Sequence, residues 1–255
     1  FCLSRGLGDV YKRQGIYGAA FNIYNIMLVL SSYGLPMAVS KLVSARFTKR
    51  RYKSAAKVLR CSLMVAVCTG GIAALLVFFG ASFIENVIYG GGLPGLAVPL
   101  RILAPTIFLV AILGVIRGFF QGQSTMIPTA VSQILEQIVN AIVSIAAGYG
   151  MMKAFASSPD VAAYGAAGST LGTAMGALTA VLFMGFLYAV YTPTFNRLKR
   201  KDRHTENQST GQICKIIIYT MIPIILGQTF YQISALIDDV MSVSYTHLRA
   251  HETGR

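Results

Sequence analysis

Charge is what this chain has least of. Of its 255 residues, 12% are Asp, Glu, Lys or Arg, about half the ~25% of a typical soluble domain. Acid is scarcer than base, 9 residues against 22. With 55% hydrophobic residues and a mean hydropathy of +0.61, that shortage excludes an ordinary soluble domain. The period-two alternation in ~10-residue segments that a membrane β-barrel needs is also missing. No Walker loop, GxSxG elbow, HExxH pair or carboxylate pair on a soluble domain is present. The reading is therefore not an enzyme, and an ATP-driven pump would need its nucleotide domain on another chain. Cys2, Cys61, Cys68 and Cys214 form no CxxC pair and have no His at metal-ligand spacing. The three internal ones read as small apolar helix residues, and no disulfide, metal or other cofactor is expected.

What is present is a series of apolar runs of about 20 residues, the length that crosses a ~30 Å hydrocarbon core. They fall at Ile16–Val43, Ala55–Ile84, Val98–Phe120, Met126–Met151, Ala163–Tyr191 and Ile213–Met241. The expected fold is all-α: a polytopic helical membrane protein with six spans. Pro36, in the break Gly34-Leu35-Pro36, should kink the first span, with a packing kink favoured over the alternative of a gating hinge. In the fifth, Gly168, Gly172 and Gly176 form a small-xxx-small ladder for close helix approach. Pro223 and Gly227 interrupt the sixth, which ends at Asp238-Asp239.

The net charge of +13 raises nucleic acid as a partner, but its placement argues against that. Arg46, Lys49, Arg50, Arg51, Lys53 and Lys57 crowd the first loop, and Arg197, Lys199, Arg200, Lys201 and Arg203 the stretch after Tyr191. Basic residues in short loops between spans mark the cytoplasmic side. The loops at 85–97 and 152–162 are nearly free of Lys and Arg and belong outside. Loops 46–57, 117–125 and 192–212 then lie in the cytoplasm, in a chain of the cell membrane. The basic loops also fit anionic lipid headgroups.

The two ends differ from the rest. Residues 1–14 and about 243–255 are polar, hold two of the three histidines and resemble peptides translated from sequencing-adapter DNA. They are expected to be non-native tails that pack on nothing in particular, so the native protein would extend beyond both. Residues 15–191 then form an N-terminal lobe without its first helix, 192–212 a cytoplasmic linker, and 213–242 the first helix of a second lobe. Such a piece is expected to transport nothing alone.

The stretch with chemistry is Arg117–Asn140, RGFFQGQSTMIPTAVSQILEQIVN. Pro128 suits the first turn of a helix, where its missing N–H costs nothing. Gln133, Glu136, Gln137 and Asn140 then recur at i, i+3, i+4 and i+7, one helical face. Glu136 lies ~15 Å along the span from Met126 by helix rise, near the midplane. A carboxylate there is costly unless paired, hydrated or protonated, and such residues mark substrate or ion pathways. Arg101 and Arg117 sit near opposite membrane edges by helix rise, and neither is expected to pair with it directly unless a helix kink brings it closer. Glu136 is expected to face a cavity between lobes. It would bind a coupling cation or proton, or pair with a basic group on the missing helix; packing glue is the plain alternative. Lys41, near the inner edge, joins the candidate pathway.

Three segments carry a family resemblance: GIYGAAFNIYNIMLVLSSYGLPMAVSKLVS, RILAPTIFLVAILGVIRGFFQGQSTMIPTAVSQILEQIVN and YTMIPIILGQTFYQISALIDD. Together they resemble the polysaccharide-biosynthesis and stage V sporulation protein B branch of the multidrug/oligosaccharidyl-lipid/polysaccharide exporter superfamily. The resemblance implies a two-lobed bundle with a central cavity and alternating access. It implies lipid-linked sugars, such as cell-wall precursors, as substrates. A flippase for such lipids is the first reading. The alternatives are a cation-coupled multidrug exporter of the sister branch, with Glu136 as its ion site, and a non-transporting membrane scaffold.

Overall fold

A computed structural model of the chain describes residues 2–88, 95–156, 161–203 and 209–230, with side chains from Gly15 onward except Ile88 and Ala162. The elements are α1 (Cys2–Ser31), α2 (Gly34–Thr48), α3 (Tyr52–Phe83), α4 (Ala97–Gln121), α5 (Ile127–Ala154), α6 (Val161–Lys201) and α7 (Thr210–Phe230). A π-helical turn, Ile84–Ile88, extends α3. No strand occurs among the described residues. Among the described residues, six spans are long and apolar enough to cross a membrane, with α1 and α2 sharing the first, Gly15–Thr48. The all-α multi-pass architecture follows from the apolar runs, because a chain in lipid must satisfy its backbone polar groups internally.

Three boundaries differ from the sequence expectation. First, the backbone of residues 2–14 continues α1 as helix; residues 243–255, and Asp238-Asp239, lie outside the described residues. Second, the first span is broken rather than bent. Tyr33 N–H turns back to the Leu28 carbonyl, and Leu35 N–H to that of Ser32, before α2 begins. Pro36 cannot donate, and Thr69 Oγ1 of α3 reaches across at 3.1 Å to the freed Ser31 carbonyl. Third, α6 does not yield to a linker at Tyr191. It stays helical through Pro193 to Lys201, so Arg197, Lys199, Arg200 and Lys201 ride on its last turns. Asp202 then docks: its buried carboxylate accepts the Lys53 backbone N–H at 2.9 Å, capping the N-terminus of α3, where orphan donors and the helix dipole favour an anion.

Helix approach is set by glycine. On α6, a Cβ at Gly176 would lie 2.7 Å from the Glu136 carbonyl oxygen, and one at Gly172 2.6 Å from that of Asn140. The ladder expected there therefore seats α5. A second ladder, Gly114 and Gly118 on α4 with Gly122 at its C-cap, has an i, i+4, i+8 spacing that is plain in the sequence. It seats α2: a Cβ at Gly118 would be 2.6 Å from the Pro36 carbonyl oxygen, and one at Gly122 2.8 Å from that of Ser40. Where α2 ends, Phe47, Phe119 and Phe195 pack ring to ring, Phe119 and Phe195 at 5.3 Å between centroids. This aromatic cluster ties α2, α4 and α6 together at the basic end of the bundle. At the other end, Glu85 caps α4, accepting from Gly95 N–H at 3.0 Å and Ala97 N–H at 2.7 Å.

Candidate functional site

The polar group of α5 meets a residue of α4. The Arg117 Nη2 donates to Glu136 Oε2 at 2.8 Å, and its Nε donates to Ser132 Oγ at 2.9 Å. Ser132 Oγ donates onward to the Thr129 carbonyl at 2.8 Å. The Arg117 and Glu136 side chains are 14% and 20% exposed, so the ion pair is largely withdrawn but reachable. Thr129 Oγ1, buried beside this turn, has no partner among the described residues. Neither Arg117 Nη1 nor Glu136 Oε1 is engaged by a described residue either.

This corrects the expectation that Arg117 lies too far from Glu136. By helix rise, Glu136 is ~13 Å past the start of α5 and Arg117 ~6 Å before the end of α4. That count follows Cα atoms only. Side chains lean toward the N-terminus of their own helix. The two helices are antiparallel across the 122–126 turn. Arg117 therefore leans away from the basic end and Glu136 toward it, and the two long side chains converge.

The other residues of the expected face divide. Gln133 and Gln137 are exposed on either side of Glu136. Asn140 turns into the seam with α6: its Oδ1 lies 2.9 Å from Ser144 Oγ, which is also 2.8 Å from the Ser169 carbonyl oxygen. Asn140 thus acts as interhelical glue. Lys41 is exposed on α2, and no described hydrogen bond or ion pair joins it to the α5 group. Of the first basic loop, Arg46 turns back, donating to Ser54 Oγ at 2.9 Å and the Leu42 carbonyl at 3.0 Å; Lys49, Arg50, Arg51 and Lys53 are exposed. No group of His, Cys, Asp and Glu among the described residues is arranged to hold a metal ion.

An ion pair between two membrane-length helices, flanked by exposed amides, defines the class: a multi-pass helical membrane protein with polar chemistry inside its bundle. The model of the family described as polysaccharide biosynthesis protein matches residues 7–250, and the chain belongs to that family. It is 34% identical over 169 residues to the Lipid II flippase MurJ of Bacillus subtilis (strain 168), covering 60% of this chain and 31% of that protein. It is 29% identical over 184 residues to the Stage V sporulation protein B of the same organism, covering 71% and 33%. Among solved structures, it is similar to a multidrug resistance MATE family transporter of the MOP superfamily in an inward-facing conformation. That likeness has a TM-score of 0.64 at 16% identity, over 84% of this chain and 50% of the other, and it shows the fold. The chain spans about a third of the length of the curated relatives it matches.

Proposed function

We propose that this chain supplies helices of a flippase that carries a lipid-linked sugar from the inner to the outer leaflet by alternating access. In this reading the basic end faces the cytoplasm, α1 to α6 belong to one lobe, and α7 opens the second. The observation that carries it is the 34% identity to a Lipid II flippase within a polysaccharide biosynthesis family. The Arg117–Glu136 pair supports it, because ionisable groups kept at membrane depth ordinarily serve a pathway. The multidrug-exporter alternative rests on fold likeness at 16% identity, and fold does not fix function. Use of Glu136 as a coupling-cation site would also require Arg117 to swing away from the carboxylate it holds.

The test is reconstitution of the full-length protein in liposomes with a fluorescent lipid-linked oligosaccharide, scoring protection of the headgroup from an external quencher. Wild-type protein should move the headgroup across, and Glu136→Ala should slow it at normal expression. Normal flipping by both Glu136→Gln and Glu136→Ala removes Glu136 from the mechanism. A protein that moves no lipid-linked sugar removes the flippase reading and leaves the exporter and scaffold alternatives.

A further inference from the structure

The Arg117–Glu136 contact is one-sided. A guanidinium and a carboxylate can close a two-bond fork, yet here one bond forms, Nη2 to Oε2, while Nε is turned to Ser132. One donor edge of the guanidinium, at Nη1, and one acceptor, Oε1, have no partner among the described residues. The two side chains keep 14% and 20% exposure, so these groups remain open to a further hydrogen-bonding partner. Gln133 and Gln137, three residues before Glu136 and one after it, place exposed amides beside the pair. Each amide brings both a donor and an acceptor.

We infer that Arg117, Glu136, Gln133 and Gln137 form a subsite for the hydroxyl groups of the sugar, not for the pyrophosphate. The inference rests on the flippase reading above. Charge and the two-way hydrogen bonding of a hydroxyl both favour the sugar. The pair is neutral as a whole, and a pyrophosphate reaching Arg117 would meet the Glu136 carboxylate, 2.8 Å from the same guanidinium, at a repulsive distance. A sugar hydroxyl both donates and accepts. Adjacent hydroxyls can donate a hydrogen bond to Oε1 while accepting one from Nη1, with no charge to repel. The amides extend the same two-way bonding along the face of α5.

The experiment compares two probes on the full-length protein in detergent: a polyprenyl pyrophosphate bearing a disaccharide, and the bare polyprenyl pyrophosphate of equal chain length. Affinities are measured by native mass spectrometry. Wild-type protein should prefer the sugar-bearing lipid. Glu136→Gln should cut that preference about tenfold, the size of one charge-assisted hydrogen bond, while leaving the bare lipid bound as well or better. Gln137→Ala, at an exposed position where folding is not at stake, should lower the preference severalfold. A preference that both variants leave intact overturns the subsite alone, as does equal weakening of both lipids, which would place pyrophosphate there. Wild-type protein that binds neither lipid overturns the flippase reading and the subsite with it.

Discussion

The Arg117–Glu136 pair can be weighed by a double-mutant cycle. At an effective dielectric of ~20 and charge centres ~4 Å apart, the gross attraction is about 4 kcal/mol. Desolvation offsets part of it. Exposure of 14% and 20% lets water screen a further part, leaving a net coupling of about 2 kcal/mol. Arg117→Met leaves Glu136 unpartnered at membrane depth and should cost about 3 kcal/mol. Glu136→Gln leaves Arg117 an amide oxygen and Ser132 Oγ as acceptors, and should cost about 1–2 kcal/mol. Arg117→Met with Glu136→Gln removes both charges and should lose less than the two single losses together, by the coupling energy. The assay is reversible unfolding of the full-length protein in mixed micelles, followed by helix content. Additive losses, within about 0.5 kcal/mol, would refute the pairing and the reasoning about converging side chains.

Gly118→Ala should destabilise the protein by about 1–3 kcal/mol. The new Cβ meets Pro36 backbone atoms at 2.6, 2.9 and 3.1 Å, which cannot rotate away; Gly185→Ala, with nothing within 4 Å, should be neutral or stabilising, and equal thermal melts for the two would refute the ladder. Arg50 sits at φ 54°, in a turn closed by Arg50 N–H to Phe47 and Arg51 N–H to Arg46. Arg50→Gly should therefore raise stability by about 1 kcal/mol, and a lower melting temperature would contradict that geometry. The Cys61 thiol of α3 donates to the Thr210 carbonyl of α7 at 3.8 Å, and Cys214 of α7 packs against the core cluster that holds Cys61. Diamide should join the two thiols and block maleimide labelling at both, whereas unchanged labelling would mean that α7 does not rest against α3.

The spans were legible because hydrophobicity is a property of each run by itself. So was the Gly168–Gly172–Gly176 ladder, whose contacts with α5 are those its spacing implies. The Gly114–Gly118–Gly122 ladder has the same spacing, but bulky Phe119 and Phe120 lie between its glycines, so the segment reads as apolar bulk. The extension of α6 past Tyr191 was hidden for a different reason. Polar composition marks where a helix leaves the bilayer and says nothing about where its hydrogen bonding stops, and Pro193 reads as a breaker although α6 runs through it. Asp202 had no local signature at all. Its partner, the Lys53 amide, is far away in sequence, and only the packing of α3 against the end of α6 brings the two together. In the candidate site, the helical face was readable from spacing, but the division between exposed Gln133 and Gln137 and interfacial Asn140 depended on where α6 lies.

The break between α1 and α2 invites comparison with a hinge, and its contacts argue for a fixed joint. A hinge needs backbone groups that can change partners cheaply and neighbours that leave room. Here the Ser31 carbonyl is already taken by Thr69 Oγ1, whose hydroxyl is held 2.9 Å from the Val65 carbonyl on its own helix. Pro36 lies against Gly114 and Gly118 so closely that a single added Cβ has no space. Gly34 faces Met221, where a Cβ would stand 3.2 Å from the Met221 Cβ. Opening the joint would strip all three neighbours, α3, α4 and α7, at once. Under the proposed flippase reading, the motion of alternating access is then directed elsewhere, to surfaces with fewer obligations. The outer faces of α5 and α7 fit that description, with Ile134, Ile138, Ile142 and Ile145 on α5 and Tyr219, Leu226 and Phe230 on α7 all exposed. The helix that carries Glu136 is thus also one of the least enclosed, fastened by the α6 glycine ladder along one side and by Arg117 at a single point on the other.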